Sequence, residues 1–197
     1  MYINDDGITI IVGSMFSEKS GELISRLNKA EVYGGKRVIT FKPILDNRFG
    51  SSVIKSRTGL QRTAINLETD INEMNYSLVI AMANEYDVVG IDEVQFFGGK
   101  IVELIKELAR QGKQVIVAGL NMDYEGEPFG KIGEILAIAH YRDTMYAICS
   151  CCKKRYAVYT QRLVNGEPAK KKGQKILIGD KEDYEARCHA CFVPPTE

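Results

Sequence analysis

Three groups of residues have the types and spacing to do chemistry. Cys149-x-x-Cys152 and Cys188-x-x-Cys191 are two thiol pairs with the same gap. Paired knuckles of this kind suit a tetrahedral four-thiolate zinc site, and four sulfur ligands leave no open position, so the metal is expected to be structural. Cys151 would replace Cys152 only with poorer knuckle spacing, and His189 falls at the wrong step to be a ligand. A second group, Gly13-Ser14-Met15-Phe16-Ser17-Glu18-Lys19-Ser20, follows the apolar run Ile8 to Val12 and precedes a helical pattern. Its order approaches G-x-x-x-x-G-K-[ST], in which backbone N–H groups wrap phosphates, the lysine reaches them, and the hydroxyl binds Mg²⁺. The third group is Asp92-Glu93, closing the apolar run Val88 to Ile91. An aspartate there can hold Mg²⁺, and a neighbouring carboxylate can take a proton from an attacking hydroxyl.

One residue of the phosphate loop breaks the pattern. Glu18 stands where the second glycine belongs, adding a Cβ and a negative charge next to a polyanion. Either its side chain swings outward to pair with a lysine or arginine, or it lies in the phosphate site. The expectation is weaker affinity for the phosphate-bearing ligand, with the loop's chemistry retained.

These groups need elements to position them. Leu23, Ile24, Leu27 and Ala30 share one face of a helix after the loop, and Arg37 to Phe41 follows as a strand behind Gly34-Gly35. A helix is expected over Leu78 to Asn84, a strand over Asp87 to Ile91, a helix over Gly98 to Gln111 and a strand over Gln114 to Ala118. Strands alternating with helices predict an α/β fold with a mostly parallel sheet flanked by helices, like a P-loop NTPase. Gly13, Asp92-Glu93 and Gly119-Leu120 then fall at strand carboxyl ends, where such sheets bind ligands. After about Asp143 short strand-like runs (Tyr156 to Val164, Lys175 to Ile178) and all five cysteines appear. The expected division is 1–142, a P-loop kinase domain, and 143–197, a small β-rich zinc-binding subdomain. Lys plus Arg and Asp plus Glu each total 26 in 197 residues, which argues against a nucleic-acid partner. The acidic N-terminus and short apolar runs point away from a membrane and toward the cytoplasm.

The residues together resemble the type II, zinc-containing thymidine kinases. The similarity is carried by Gly13 to Ser20; Phe41-Lys42-Pro43 with Asp46 and Arg48; Ile91-Asp-Glu-Val-Gln-Phe-Phe97; and Gly119-Leu-Asn-Met-Asp-Tyr-Glu-Gly-Glu-Pro-Phe-Gly130. It continues through Ala147 to Cys149, Thr160 to Leu163, Ile178-Gly179 and Tyr184 to Cys188. The resemblance implies transfer of the ATP γ-phosphate to the 5′-hydroxyl of thymidine, with Mg²⁺, and a homotetramer. It implies that Glu93 is the general base, that Gly13 to Ser20, Asp92, Gln95 and Arg162 serve ATP and Mg²⁺, and that Met15, Phe96, Leu120, Tyr124 and Phe129 surround the base. Leu177, Ile178, Gly179 and Tyr184 belong, by the same resemblance, to a lasso-like loop closing over the nucleoside. Two other readings compete: a nucleoside- or nucleotide-binding pseudokinase impaired by Glu18, and a zinc-ribbon nucleic-acid module with an incidental P-loop-like turn. Balanced charge and the acidic pair speak against the second.

Overall fold

Continuous β-branched runs form strands buried on both faces, and in a parallel sheet such strands must be covered by helices on each side. The computed structural model describes residues 6–46, 52–171 and 183–196. Its first half contains β1 (Gly7–Gly13), α1 (Lys19–Val32), β2 (Val38–Pro43), β3 (Val53–Lys55), β4 (Gln61–Thr63), β5 (Ile65–Leu67), β6 (Asp70–Ile71), α2 (Glu73–Ala83) and β7 (Val88–Ile91). A single 3₁₀ turn, Val94–Phe96, leads into β8 (Gly98–Gly99), α3 (Ile101–Arg110), β9 (Gln114–Leu120), α4 (Ile132–Ile138) and β10 (Tyr141–Met145). The remainder is β11 (Ala147–Ile148), β12 (Tyr156–Ala157), β13 (Tyr159–Val164), β14 (Glu167–Pro168) and β15 (Tyr184–Arg187).

Six strands make the central sheet in the order β10-β1-β9-β7-β2-β5, every neighbouring pair parallel. Alternation along each strand divides the core in two. Ile8, Ile10 and Val12 of β1 join Leu104, Ile105 and Leu108 of α3 on one face. Ile11 meets Leu23, Ile24 and Leu27 of α1 on the other. Those three α1 side chains are fully buried, each contributing about 1.5–3 kcal/mol as an upper estimate. Gly13 and Leu120 lie opposite each other, and β7 ends one residue before Asp92, so the chemistry-bearing residues gather along one sheet edge.

The parallel sheet agrees with the sequence reading; several bounds shift. The helix expected over Leu78 to Asn84 starts at Glu73, because the Asn72 side chain caps it by accepting the Asn75 N–H. The second strand starts at Val38, one residue late, because the exposed Arg37 is held outside it by Asp87. The expected boundary between 142 and 143 runs through β10, which pairs with β1 as an edge strand, so the small sheets begin after Met145. There β11 pairs with β12, and β13 lies between β14 and β15. The strand expected at Lys175 to Ile178 lies outside the described residues, as does Arg48.

Leu27 of α1 packs directly over Gly90 of β7, where an added Cβ would sit 2.5 Å from Leu27 Cδ1. Gly90→Ala should therefore overpack this seam and cost about 1–3 kcal/mol. Thermal unfolding should show a melting temperature lower by about 2–4 °C per kcal/mol for a domain of this size.

Candidate active site

The phosphate loop leaves β1 at Gly13, where a Cβ would lie 2.2 Å from the Met145 carbonyl, so only glycine fits between the strands. The Lys19 ammonium lies back across the loop, donating to the Ser14 carbonyl at 2.7 Å. Ser17 Oγ donates to the same carbonyl at 2.8 Å. The Met15 N–H is held by Thr160 Oγ1 at 3.0 Å, and Ser14 Oγ donates to the Ala157 carbonyl at 3.3 Å. These contacts tie the loop to β12 and β13. Glu18 takes φ 61° and ψ 28°, the left-handed conformation for which glycine is usual. Its carboxylate accepts from the Thr58 hydroxyl at 3.1 Å. Of the two alternatives the side chain takes the outward one, but onto a hydroxyl instead of a lysine or arginine.

Helix α1 presents Ser20, whose hydroxyl donates to Asp92 Oδ1 at 3.2 Å; the Glu93 N–H donates to the same oxygen at 3.0 Å. Asp92 is buried, and burial raises its pKa from 3.8 to about 7, helped by the charges of Glu93 and Asp46 and opposed by those two hydrogen bonds. Glu93 follows with φ 50°, which turns its side chain away from that of Asp92. Gln95 Nε2 donates to Glu93 Oε2 at 2.6 Å, while Gln95 Oε1 accepts the Leu120 N–H at 3.0 Å. That second bond fixes which end of the amide faces the carboxylate, so Gln95 holds Glu93 as a hydrogen-bond acceptor. The hydroxyl and carboxylate oxygens of Ser20 and Asp92 are hard donors that fit Mg²⁺.

Beyond Leu120, residues 121–130 fold into a tight loop. Asp123 organises it, its Oδ1 accepting from the N–H groups of Glu125 (2.9 Å) and Glu127 (3.1 Å). Phe96 and Phe129 meet edge to face with centroids 5.6 Å apart, both still partly exposed. The Arg162 guanidinium lies 5.4 Å from the Tyr124 ring centroid, and Arg162 pairs in register with Tyr184 across β13 and β15. Burial raises the Tyr184 phenol, against the opposing pull of Arg162. Leu177, Ile178 and Gly179 lie outside the described residues.

The sulfur atoms of Cys149, Cys152, Cys188 and Cys191 all lie within 4.8 Å of one another, with Cys152 and Cys188 at 3.9 Å. Tetrahedral zinc with Zn–S bonds near 2.3 Å requires sulfurs about 3.8 Å apart, so the set fits that metal. Burial opposes ionisation of Cys149, yet the N–H groups of Cys152, Cys188 and Cys151 prevail and lower it to about 6. Cys151 and His189 are exposed and outside the cluster. Phe16 packs against this cluster, so one residue of the phosphate loop touches the cysteine-bearing unit.

Sequence reasoning left four contributors without a role: Asp46, Thr58, Asp123 and Thr160. Asp46, buried three residues beyond β2, had a usable signal in its place after a strand's carboxyl end. Thr58 and Thr160 act across 40 and 145 residues of sequence, a separation that no local pattern encodes.

A strand–phosphate loop–helix on a parallel sheet, with a buried aspartate at the carboxyl end of β7, two strands along from β1, and a four-cysteine cluster that fits a metal, defines a P-loop α/β fold. Residues 6–192 match the family model described as Thymidine kinase, and the chain belongs to that family. Among solved structures it is similar to a replication initiator DnaA bound to AMPPCP and single-stranded DNA, at 14% sequence identity and a TM-score of 0.41. That match covers 72% of this chain and 40% of the other, so the chain spans less than half of that protein's length. At this distance the likeness bears no weight for ligands or activity.

Asp92 makes stability pH-dependent. The folded protein keeps its proton up to about pH 7, whereas the unfolded chain releases it near 3.8, so stability falls as pH rises through that window. Asp92→Asn should flatten this slope in nucleotide-free protein, and melting temperatures from pH 4 to 8 check it. Cys149→Ser should lose the metal, which elemental analysis would find at about one zinc per chain in the parent protein. Because Phe16 packs on the cluster, the same variant should also show faster proteolysis around residues 14–20.

Proposed function

We propose that this chain is a thymidine kinase transferring the γ-phosphate of ATP to the 5′-hydroxyl of thymidine. The observation that carries the reading is Gln95, which bridges the Leu120 amide and the Glu93 carboxylate and so aims one acceptor from the strand edge. Glu93 takes the proton of the sugar hydroxyl as its oxygen bonds to the γ-phosphorus and the bond from phosphorus to the ADP oxygen breaks. Lys19 and the loop amides hold the phosphates, and its release from the Ser14 carbonyl exchanges one charge-assisted contact for a stronger one. Ser20 and Asp92 would hold Mg²⁺, which neutralises charge on the transferring phosphoryl group. Arg162 supports the same phosphates from β13.

Phe96 and Phe129, with Met15, Leu120 and Tyr124, offer the base an apolar, aromatic surface, for which stacking is worth about 1–3 kcal/mol. We assign Tyr184 to the nucleoside as well, together with Leu177, Ile178 and Gly179, which lie outside the described residues. This reading takes the chain as a cytoplasmic homotetramer of two-part subunits; no helix among the described residues is long and apolar enough to cross a membrane. The pseudokinase reading draws nothing from the family match, and Glu18 makes its hydrogen bond to Thr58.

Transfer of labelled γ-phosphate to thymidine tests the proposal. Glu93→Gln should lower kcat by about 10²–10⁴-fold, the usual contribution of a general base, with KM values within a few-fold of the parent. Retained nucleotide binding without any transfer by the parent protein would restore the pseudokinase.

A further inference from the structure

Two residues of the phosphate loop other than glycine take left-handed backbone, Phe16 at φ 67° and Glu18 at φ 61°. Side chains with a Cβ persist there only where the surroundings impose the conformation. Both are gripped from outside the loop by consecutive residues of the β3–β4 turn. The Arg57 guanidinium lies 4.4 Å over the Phe16 ring, and the Thr58 hydroxyl donates to Glu18 at 3.1 Å.

The turn is built to hold that hydroxyl. Ser56 and Leu60 exchange two bonds, Ser56 N–H to the Leu60 carbonyl at 2.8 Å and Leu60 N–H to Ser56 Oγ at 3.0 Å. Ser56 Oγ is 2.9 Å from Thr58 Oγ1. Since the Thr58 proton goes to Glu18, Ser56 donates to Thr58, and a chain runs from the Leu60 amide through two hydroxyls to the carboxylate. Each link polarises the next. The base of the hairpin is fixed as well. Ile54 is buried in the α1-facing core, Lys42 Nζ donates to the Val53 carbonyl, and Arg62 spans Thr40, Asn28 and Glu31.

A third residue completes the arrangement. A Cβ on Gly21 would lie 2.9 Å from Glu18 Oε2 and 3.3 Å from the Ser56 Cβ. Absence of a side chain at Gly21 makes room for the carboxylate to reach the hairpin. Glycine inside a helix is otherwise unfavourable, so Glu18 and Gly21 read as a matched pair.

We propose that the β3–β4 hairpin is a working part of the phosphate loop: Thr58 clasps Glu18, which then serves as a positioning residue holding the loop in the shape that glycine elsewhere supplies. The clasp also directs the carboxylate to the hairpin. Its functional role rests on the ATP-dependent reading given above.

The test uses the full chain with the variants Glu18→Ala, Glu18→Gly, Thr58→Val and Gly21→Ala, the last two made in both the parent and the Glu18→Gly background. Hydrogen exchange of residues 14–21 is read without nucleotide, and KM is read for ATP and for thymidine. Thr58→Val and Gly21→Ala should each raise the ATP KM by roughly 3–10-fold, the size of one partly exposed hydrogen bond to a charged acceptor. Glu18→Ala keeps the Cβ and loses the clasp, so it should be at least as impaired, with faster exchange in the loop; the thymidine KM should move by less than about twofold, since the clasp touches only the phosphate side. Glu18→Gly should match or improve on the parent. On that background Thr58→Val should be silent, and Gly21→Ala should raise the melting temperature through helix propensity alone. Equal effects of Thr58→Val in both backgrounds, or Glu18→Ala behaving like Glu18→Gly, would overturn the clasp. A parent protein that binds no ATP while the Glu18–Thr58 coupling persists in exchange would sink the kinase reading and remove the clasp's functional role.

Discussion

The conformation of the eight residues from Gly13 to Ser20 is the constraint on which the rest of the molecule depends. Three parts of the chain, distant in sequence, converge to hold it. The cysteine-bearing unit takes its first half, through Thr160 on the Met15 amide, the Ala157 carbonyl on Ser14 and the packing of Phe16. The β3–β4 hairpin takes Phe16 and Glu18 from outside. The end of β7 takes Ser20 through Asp92. A loop fixed at both ends keeps one arrangement of its amides, and electrostatic stabilisation of a bound anion would require that preorganisation.

Holding that shape has an energetic consequence. Phe16, Glu18 and Glu93 all occupy left-handed backbone without being glycine, at about 1–3 kcal/mol each. Together they amount to a substantial part of the 5–15 kcal/mol by which a domain of ordinary stability resists unfolding. Burying Asp92 beside Glu93 and Asp46 adds an electrostatic cost in the same place. The two-sided core around the parallel sheet must carry this burden, and it does so away from the sheet edge, where α1 and α3 pack fully buried leucines and isoleucines.

Much of this was legible in the sequence, and the part that was not has a common cause. Helices and strands of the sheet declare themselves by periodicity, because one-dimensional spacing maps directly onto a buried face. The four-cysteine cluster declares itself because its ligands come in short-range pairs that need only be brought together once. Glu18 was legible only as a defect. Its partner Thr58 lies 40 residues away in a turn with no apolar pattern, so the compensation was invisible until that turn was placed. The end of the parallel sheet is hidden in the sequence for a similar reason: β10 is a half-exposed edge strand whose membership in the sheet comes from pairing with β1 and not from its own composition.

The acidic edge shows how the same economy of placement separates two chemically identical groups. Asp92 and Glu93 are neighbours, and on a regular strand they would differ only by the face they point to. The φ of 50° at Glu93 breaks that alternation and delivers its carboxylate to Gln95, a side chain itself locked by the Leu120 amide. Asp92 stays in the buried seam with Ser20, where desolvation raises its proton affinity. A cation arriving beside Asp92 would reverse that preference, since a nearby positive charge favours the carboxylate form. Glu93, half-buried, is held instead by the neutral amide of Gln95. One left-handed residue thus gives two adjacent carboxylates separate surroundings, and the 3₁₀ turn from Val94 to Phe96 that follows carries both Gln95 and Phe96 to the same edge.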